Sequence, residues 1–296
     1  MAIVLTFFLG MSIIYFVAEE TMIRQKFFLG FTFSSLLIAG ISFYDDLKHR
    51  PLLIRLLTQM LAVCVVIAFG LVINRIEYSS LPENLGLFGY MITFIWIIGL
   101  TNAYNFMDGL NGMAGGNAII ASLFLGLISF WQGSNFTYIV CYILVAGTAG
   151  FLIFNFPKGR LFMGDVGSTF LGFTFANMAI LSSLYDQAHT SLLVIPLLLF
   201  HFIYDTAFTF IRRLINKENV FQAHRTHLCQ LFNRLGFSHT IVTSFYMIVG
   251  LLQGLGAIWM INIYSVQRLY IFIPYLLFQL IYSSVIIYFA RKNKLI

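Results

Sequence analysis

Four short stretches of this chain carry side chains whose types and spacing can do chemistry. In the first, Phe43-Tyr44-Asp45-Asp46-Leu47-Lys48-His49-Arg50-Pro51, two adjacent carboxylates stand at the end of an apolar run. Carboxylates that close repel, so a metal ion or nearby cations must accompany them if both are to stay ionised. A polar helix end at a membrane interface, with Lys48 and Arg50 as flanking cations, accounts for the same residues. The second stretch, Thr101 to Gly116, spaces Asn102, Asn105, Asp108 and Asn111 three residues apart. That spacing keeps polar groups near one face of a helical turn. Facing lipid they would be expensive, so they are expected to face protein or an aqueous cleft. Gly109 and Gly112 would let backbone N–H groups approach a phosphate. An interhelical hydrogen-bond ladder is the alternative.

The third stretch, Lys158 to Thr169, sets Lys158 and Arg160 ahead of Asp165, which lies between Gly164 and Gly167. Magnesium takes one or two hard oxygen ligands from protein and completes its shell with water and substrate phosphates. Asp165 with one partner from another loop would suffice; a cap on the helix expected to begin near Val166 is the other explanation. The fourth stretch is the long polar connection Arg212 to His239, which contains His224-Arg225-Thr226-His227. Arginine forks and histidine donors suit a diphosphate, whereas a zinc site would want cysteine or acidic partners that are missing nearby. His201 and Asp205 are four apart on an apolar run, which puts them on one face and invites a hydrogen bond. His189 and His239 read as solvated loop residues.

The elements that must position these groups are transmembrane helices. Of 296 residues 60% are hydrophobic and 9% charged, with a mean hydropathy of +0.90. A soluble domain carries roughly a quarter charged residues, so most of this surface must face lipid. Ten spans are expected, at 1–18, 27–44, 52–73, 87–101, 113–131, 136–156, 166–184, 190–211, 240–262 and 269–290. Brief connections predict one all-α membrane domain over 1–296. Residues 1–18 lack the basic start and the small-residue site of a cleavable signal. Cys64, Cys141 and Cys229 have no paired spacing and form neither a disulfide framework nor a zinc set.

The net charge of +6 comes from basic residues that flank apolar runs, which marks them as topology determinants; no nucleic-acid partner is expected. With ten spans, twelve cations fall on one side (Lys48, Arg50, Lys158, Arg160, Arg212, Arg213, Lys217, Arg225, Arg234, Arg291, Lys292 and Lys294). Four, Arg24, Lys26, Arg75 and Arg268, fall on the other, and Arg55 begins a span. Basic loops stay in the cytoplasm, so both termini are expected inside. Asp45, Asp46, Asp108, Asp165 and Asp205 then gather on the cytoplasmic side.

Taken together, Asp45-Asp46, Asn102–Gly116, Phe162–Ser168 and His224–His227 resemble the polyprenyl-phosphate N-acetylhexosamine-1-phosphate transferases, glycosyltransferase family 4. Order, spacing and position at span ends agree over about residues 1–290, closer to the branch that starts O-antigen and teichoic acid than to the muramoyl-pentapeptide translocase. The resemblance implies a bundle of about ten transmembrane helices in the bacterial inner membrane, with the active site at the cytoplasmic face. It implies a magnesium-dependent exchange of a UDP-N-acetylhexosamine and undecaprenyl phosphate for UMP and a lipid diphosphate sugar, the start of a cell-surface glycan. By motif match, Asp165 is the Mg2+ ligand with Asn105 its helper, and Asp45, Asp46 and Asp108 are catalytic carboxylates, the adjacent pair serving the lipid phosphate. Lys48, Asn102, Asn111, Gly112, His224, Arg225 and His227 match substrate-binding positions. Asn111 stands where many bacterial members have aspartate, and Cys229 and Gln230 replace further histidines. The family's first span and the proline-arginine-glycine-glycine loop after it are expected to be missing. A homodimer stays open.

The acceptor phosphate is mostly ionised at neutral pH, its second pKa being about 6, so the chemistry is positioning and charge neutralisation more than base catalysis. Asp108 and Asp165 read as organisers of metal and substrate. A secondary transporter would place its polar groups near the bilayer midplane between inverted repeats, yet the aspartates gather at one face and no repeat is visible. A CDP-alcohol transferase would need a two-aspartate, glycine, alanine-arginine motif that does not follow Asp108-Gly109. A catalytically inactive scaffold of the same fold is the third alternative.

Overall fold

The computed structural model describes residues 1–17, 23–48, 52–75, 85–187, 189–219, 222 and 224–296. His49, Arg50 and Pro51 of the first stretch lie outside the described residues, as do Glu19, Glu20, Glu77 and Glu83. All regular structure among the described residues is helical: α1 Ala2–Val17, α2 Gln25–Lys48, α3 Leu52–Ala68, α4 Leu87–Met107, α5 Met113–Trp131, α6 Phe136–Asn155, α7 Gly164–Ile180, α8 Val194–Leu198, α9 Phe200–Ile215, α10 Leu228–Arg234, α11 His239–Ile261 and α12 Phe272–Lys292. Single turns of π and 3-10 helix follow α7 and precede α12. Among the described residues seven helical segments are long and apolar enough to cross a membrane, and α1 and most of α3 form shorter apolar helices. The chain is a multi-pass membrane protein.

Two expected spans look different in the structure. The run at 87–101 continues as helix to Met107, so Asn102 and Asn105 ride on α4. The run at 190–211 is broken at Leu199, which links the short α8 to α9. Along α9, His201, Asp205, Thr209 and Arg213 recur every fourth residue and all are buried. A four-residue period keeps them on one helix face, so α9 turns a polar stripe inward.

The centre of the bundle is α7, in which every residue from Val166 to Ile180 is buried. It packs on α2 and α4. The approach to α4 depends on Gly172, where a Cβ would lie 2.7 Å from the Cβ of Tyr104 and 2.9 Å from the Cα of Thr101. Without a side chain there the two backbones nearly touch, the small-residue packing that joins helices in lipid. Tyr104 is fully buried and donates its hydroxyl to the Ala114 carbonyl at 2.7 Å, tying α4 to α5. This close seam brings Asn105 of α4 beside the start of α7, where Asp165 sits.

Candidate active site

The adjacent carboxylates of α2 point to different partners. Asp45 is buried and meets the Arg55 Nε at 3.3 Å. Asp46 accepts the backbone N–H groups of Asp165 at 3.0 Å and Val166 at 3.1 Å, one on each oxygen. Those are first-turn N–H groups of α7, which have no partner within the helix, and a carboxylate there also faces the positive end of the helix dipole. Asp46 thus caps α7 from another helix, and the cap is not Asp165 itself. Lys48 ends α2 exposed to solvent.

Arg55, in the first turns of α3, is the hub. Besides Asp45 it meets Asp165 Oδ2 through Nη1 at 3.0 Å and donates from Nη2 to Asn105 Oδ1 at 3.0 Å. Asn105 in turn donates from Nδ2 to Asp165 Oδ1 at 2.9 Å and to Ser168 Oγ at 2.8 Å. The cation beside Asp165 is therefore Arg55; Lys158 and Arg160 are exposed. One turn up α4, Asn102 exchanges hydrogen bonds with Gln59, donating at 2.6 Å and accepting at 3.3 Å. The three-residue series divides accordingly: Asn102 pairs across helices while lining the larger cavity, and Asn105 joins the carboxylate cluster. Asp108 follows the end of α4, half-buried, and burial together with the charges of Asp165 and Asp46 pushes its carboxyl up to about 7 from 3.8.

Gly112 starts α5 in the left-handed region at φ 76°. A Cβ there would lie 2.5 Å from the Phe156 ring, so only glycine fits both the backbone and the space. Its N–H donates to Asn155 Oδ1 at 2.6 Å, and the Asn111 N–H to His239 Nδ1 at 3.4 Å. The Gly112 N–H, one of the backbone donors expected near a phosphate, is thus already engaged. The Asn111 side chain donates to the Pro157 carbonyl at 3.3 Å.

His227 is buried at the start of α10, with Nδ1 3.3 Å from Asp205 Oδ1. Asp205 also accepts the N–H groups of Leu228 at 2.8 Å and Cys229 at 3.1 Å, and the hydroxyls of Tyr246 at 2.9 Å and Thr209 at 3.2 Å. The bond expected between His201 and Asp205 does not form. His201 meets Gln253 at 2.5 Å and Asn117 at 3.0 Å, because α9 directs it toward α11 and α5. His224 stacks on His227 with ring centroids 4.9 Å apart. Burial and the nearby His227, Arg213 and Arg212 lower its pKa to about 4, so it is neutral at pH 7. Arg225 is exposed. Buried Arg213 fastens the preceding loop through Glu218 and the carbonyls of Asn219 and Gln222.

Two cavities meet at Asn105, which lines both. The larger, about 510 Å³, is walled by Leu56, Phe106 and Phe210 and by Arg55, Arg213, His224 and His227. The smaller, about 260 Å³, holds Asp108, Asn111, Asp165, Ser168 and His239. The sequence reading missed Arg55, Arg213 and His239 as site residues. Among the described residues no three His, Cys, Asp or Glu side chains converge as a metal cage. Asp165 and Asn105 instead offer hard oxygens beside a cavity. That donor set fits an ion like magnesium, which keeps waters and takes ligands from substrate phosphates.

A helical membrane bundle with carboxylates, amides and a guanidinium gathered between two cavities has the build of a membrane-embedded group-transfer enzyme. Residues 28–183 match the family described as Glycosyl transferase family 4. That is more than half of the chain, and the chain belongs to this family of transferases. It is similar to the "Probable undecaprenyl-phosphate N-acetylglucosaminyl 1-phosphate transferase" of Bacillus subtilis (strain 168), 29% identical over 230 residues, 77% of this chain and 64% of that protein. It is also similar to the phospho-N-acetylmuramoyl-pentapeptide-transferases of Staphylococcus carnosus (strain TM300), 32% over 189 residues, and Listeria monocytogenes serotype 4b (strain F2365), 37% over 107 residues. These two matches cover 62% and 36% of this chain and 56% and 33% of the relatives. In each case the chain spans less than two thirds of the relative's own length.

Proposed function

We propose that the chain transfers N-acetylhexosamine 1-phosphate from a UDP-sugar to undecaprenyl phosphate, releasing UMP and starting a lipid-linked cell-surface glycan such as O-antigen. The observation that carries this reading is the cluster of Asp165, Asn105, Asp108 and Arg55 between two cavities of unlike character. An acceptor phosphate oxygen forms a bond to the sugar-bearing phosphorus as the bond to the UMP oxygen breaks. Both partners are anions, so the chain's task is to bring negative charges together and hold them in line. Arg55, Arg213 and the His224–His227 pair supply cationic and neutral donors around the larger cavity. Asp165 and Asn105 would hold Mg2+, which when bound neutralises charge on the transferring diphosphate. Asp108 borders the smaller cavity with them, and a cation there would draw it toward its ionised form.

UDP-N-acetylglucosamine is the first choice of donor, supported by the printed name of the Bacillus relative; 6-deoxy acetamido sugars are next. The site is assigned to the cytoplasmic face of a bacterial plasma membrane with both termini inside, supported by the loop cations. The test is UMP release by purified protein from a panel of UDP-sugars. The expected outcome is release with one acetamido sugar that needs both undecaprenyl phosphate and magnesium. No acceptor-dependent UMP from any sugar would remove the reading. A single cysteine placed at Asn219 should label from the cytoplasm; labelling from outside would reverse the orientation.

A further inference from the structure

Arg55 makes three contacts with three different nitrogens, and they are unequal. Nε meets Asp45, whose side chain is 7% exposed, while Nη1 meets Asp165, whose side chain is 33% exposed at the edge of the smaller cavity. Nη2 donates to the Asn105 oxygen. One guanidinium thereby joins α2, α4 and α7 and, among the described residues, supplies a cation shared by Asp45 and Asp165. Asp46, beside them, is balanced by the N-terminus of α7. The oxygens that Arg55 occupies on Asp165 and Asn105 are the same hard donors that suit a divalent cation. Two cations cannot share those oxygens at contact distance without strong repulsion, which grows as water is excluded.

We infer that Arg55 is an exchangeable counter-ion: it holds Asp165 and Asn105 in place as an internal cation and gives up both when a divalent cation binds there, keeping its buried hold on Asp45. Resting on the cation site proposed above, this concerns how that site is kept assembled before it is filled. A planar fork is required, because three acceptors on three helices cannot be reached by the point charge of a lysine ammonium. Because Arg55 stays on Asp45, the divalent cation also adds two positive charges to the carboxylate cluster. The released Nη groups remain at the wall of the larger cavity, which Arg55 also lines, as donors for an anionic head.

The experiment is Mn2+ binding, read by the electron paramagnetic resonance of free Mn2+, to purified protein in detergent. Wild type, R55Q and R55K are compared, with thermal melts alongside. Removing a competing cation in direct contact is expected to tighten Mn2+ binding by about tenfold or more in R55Q. R55Q also removes a cation from buried Asp45, so R55K serves as the second variant: it keeps a charge for Asp45 but not the fork to Asp165 and Asn105. It is expected to bind Mn2+ more tightly than wild type, to melt lower without Mn2+, and to gain more from it. In the double variant R55K/D165N that gain is expected to vanish. Mn2+ affinity in R55K equal to or weaker than wild type overturns the exchange while leaving the cation site standing. A gain that survives D165N also overturns it, since the Mn2+ would then sit elsewhere. Absence of Mn2+ binding in all three proteins removes the cation site and the exchange together.

Discussion

Two helices of this molecule begin on an aspartate borrowed from elsewhere, and the two ends differ in what is left over. Asp205 caps α10 and takes donors from His227, Leu228, Cys229, Tyr246 and Thr209, all within a buried pocket. Asp46 caps α7 with the same chemistry, but there the next carboxylates, Asp165 and Asp108, are half-buried beside a cavity; Asp165 meets Arg55 and Asn105, and Asp108 feels the charges of Asp165 and Asp46. Both oxygens of Asp205 are fully engaged by protein donors, which is how a buried polar group contributes to structure. Among the described residues around α7, carboxylates outnumber the cations in contact with them. On the proposal above, such a site would receive a cation. The difference would then separate an aspartate that holds the fold from aspartates that take a ligand, although all are the same residue at similar helix ends.

The sharpest way to break this contrast is Asp165→Asn, which is expected to lower UMP release at least about a hundredfold, ~2.7 kcal/mol, while its half-exposed ion pair costs less than about 1 kcal/mol of stability. Equal losses of activity and of melting temperature would put Asp165 with the structural aspartates. For Asp205→Asn the balance should reverse. Lost capping and charge-assisted hydrogen bonds should cost about 2 kcal/mol of stability, read as a lower melting temperature in detergent. A variant that melts like wild type would show that α10 does not need this cap.

A third test uses pH. Asp108 ionises near 7 in the folded chain against an ordinary 3.8. Between those values the folded state holds a proton that the unfolded state has lost, so stability falls as the pH rises through the window and levels off above it. With divalent cations chelated, the melting temperature of wild type should decline from pH 4 to 7 relative to Asp108→Asn; parallel profiles would mean that Asp108 is not crowded by its neighbours. The smallest effect belongs to Asn102→Ala. Breaking its pair with Gln59 should cost about 0.6 kcal/mol and leave UMP release within roughly twofold. A large loss of activity would move Asn102 into the site.

The membrane class was plain in the sequence because lipid contact demands long apolar runs, and the four polar stretches stood out against them. Asp165, Asn105 and Asp108 meet in space as their motifs implied. Arg55 was passed over because a basic residue at the start of a span also serves topology. Its signal was present: Arg55 and Gln59 are one turn apart, matching Asn105 and Asn102 on the facing helix. The break at Leu199 was illegible, since both sides are equally apolar. So was the separation of Asp45 from Asp46, because sequence cannot say which distant helix end a carboxylate will cap. His239 looked solvated for the same reason; its partner, the Asn111 backbone, lies 128 residues away.

That long reach has a consequence for how the protein is made. The helix end that Asp205 caps follows it by 23 residues, so the two can meet almost as soon as they leave the ribosome. The end that Asp46 caps follows by 119 residues, with α3 to α6 in between. During membrane insertion the carboxylates of α2 must therefore be carried through four later helices before the backbone that neutralises Asp46 exists. Synthesis runs from the N-terminus, so Asp46 is among the first parts of the site to be made and among the last to find its counterpart, whereas Asp45 can meet Arg55 of α3 early. Any chain interrupted before α7 would leave Asp46 without the helix end that caps it.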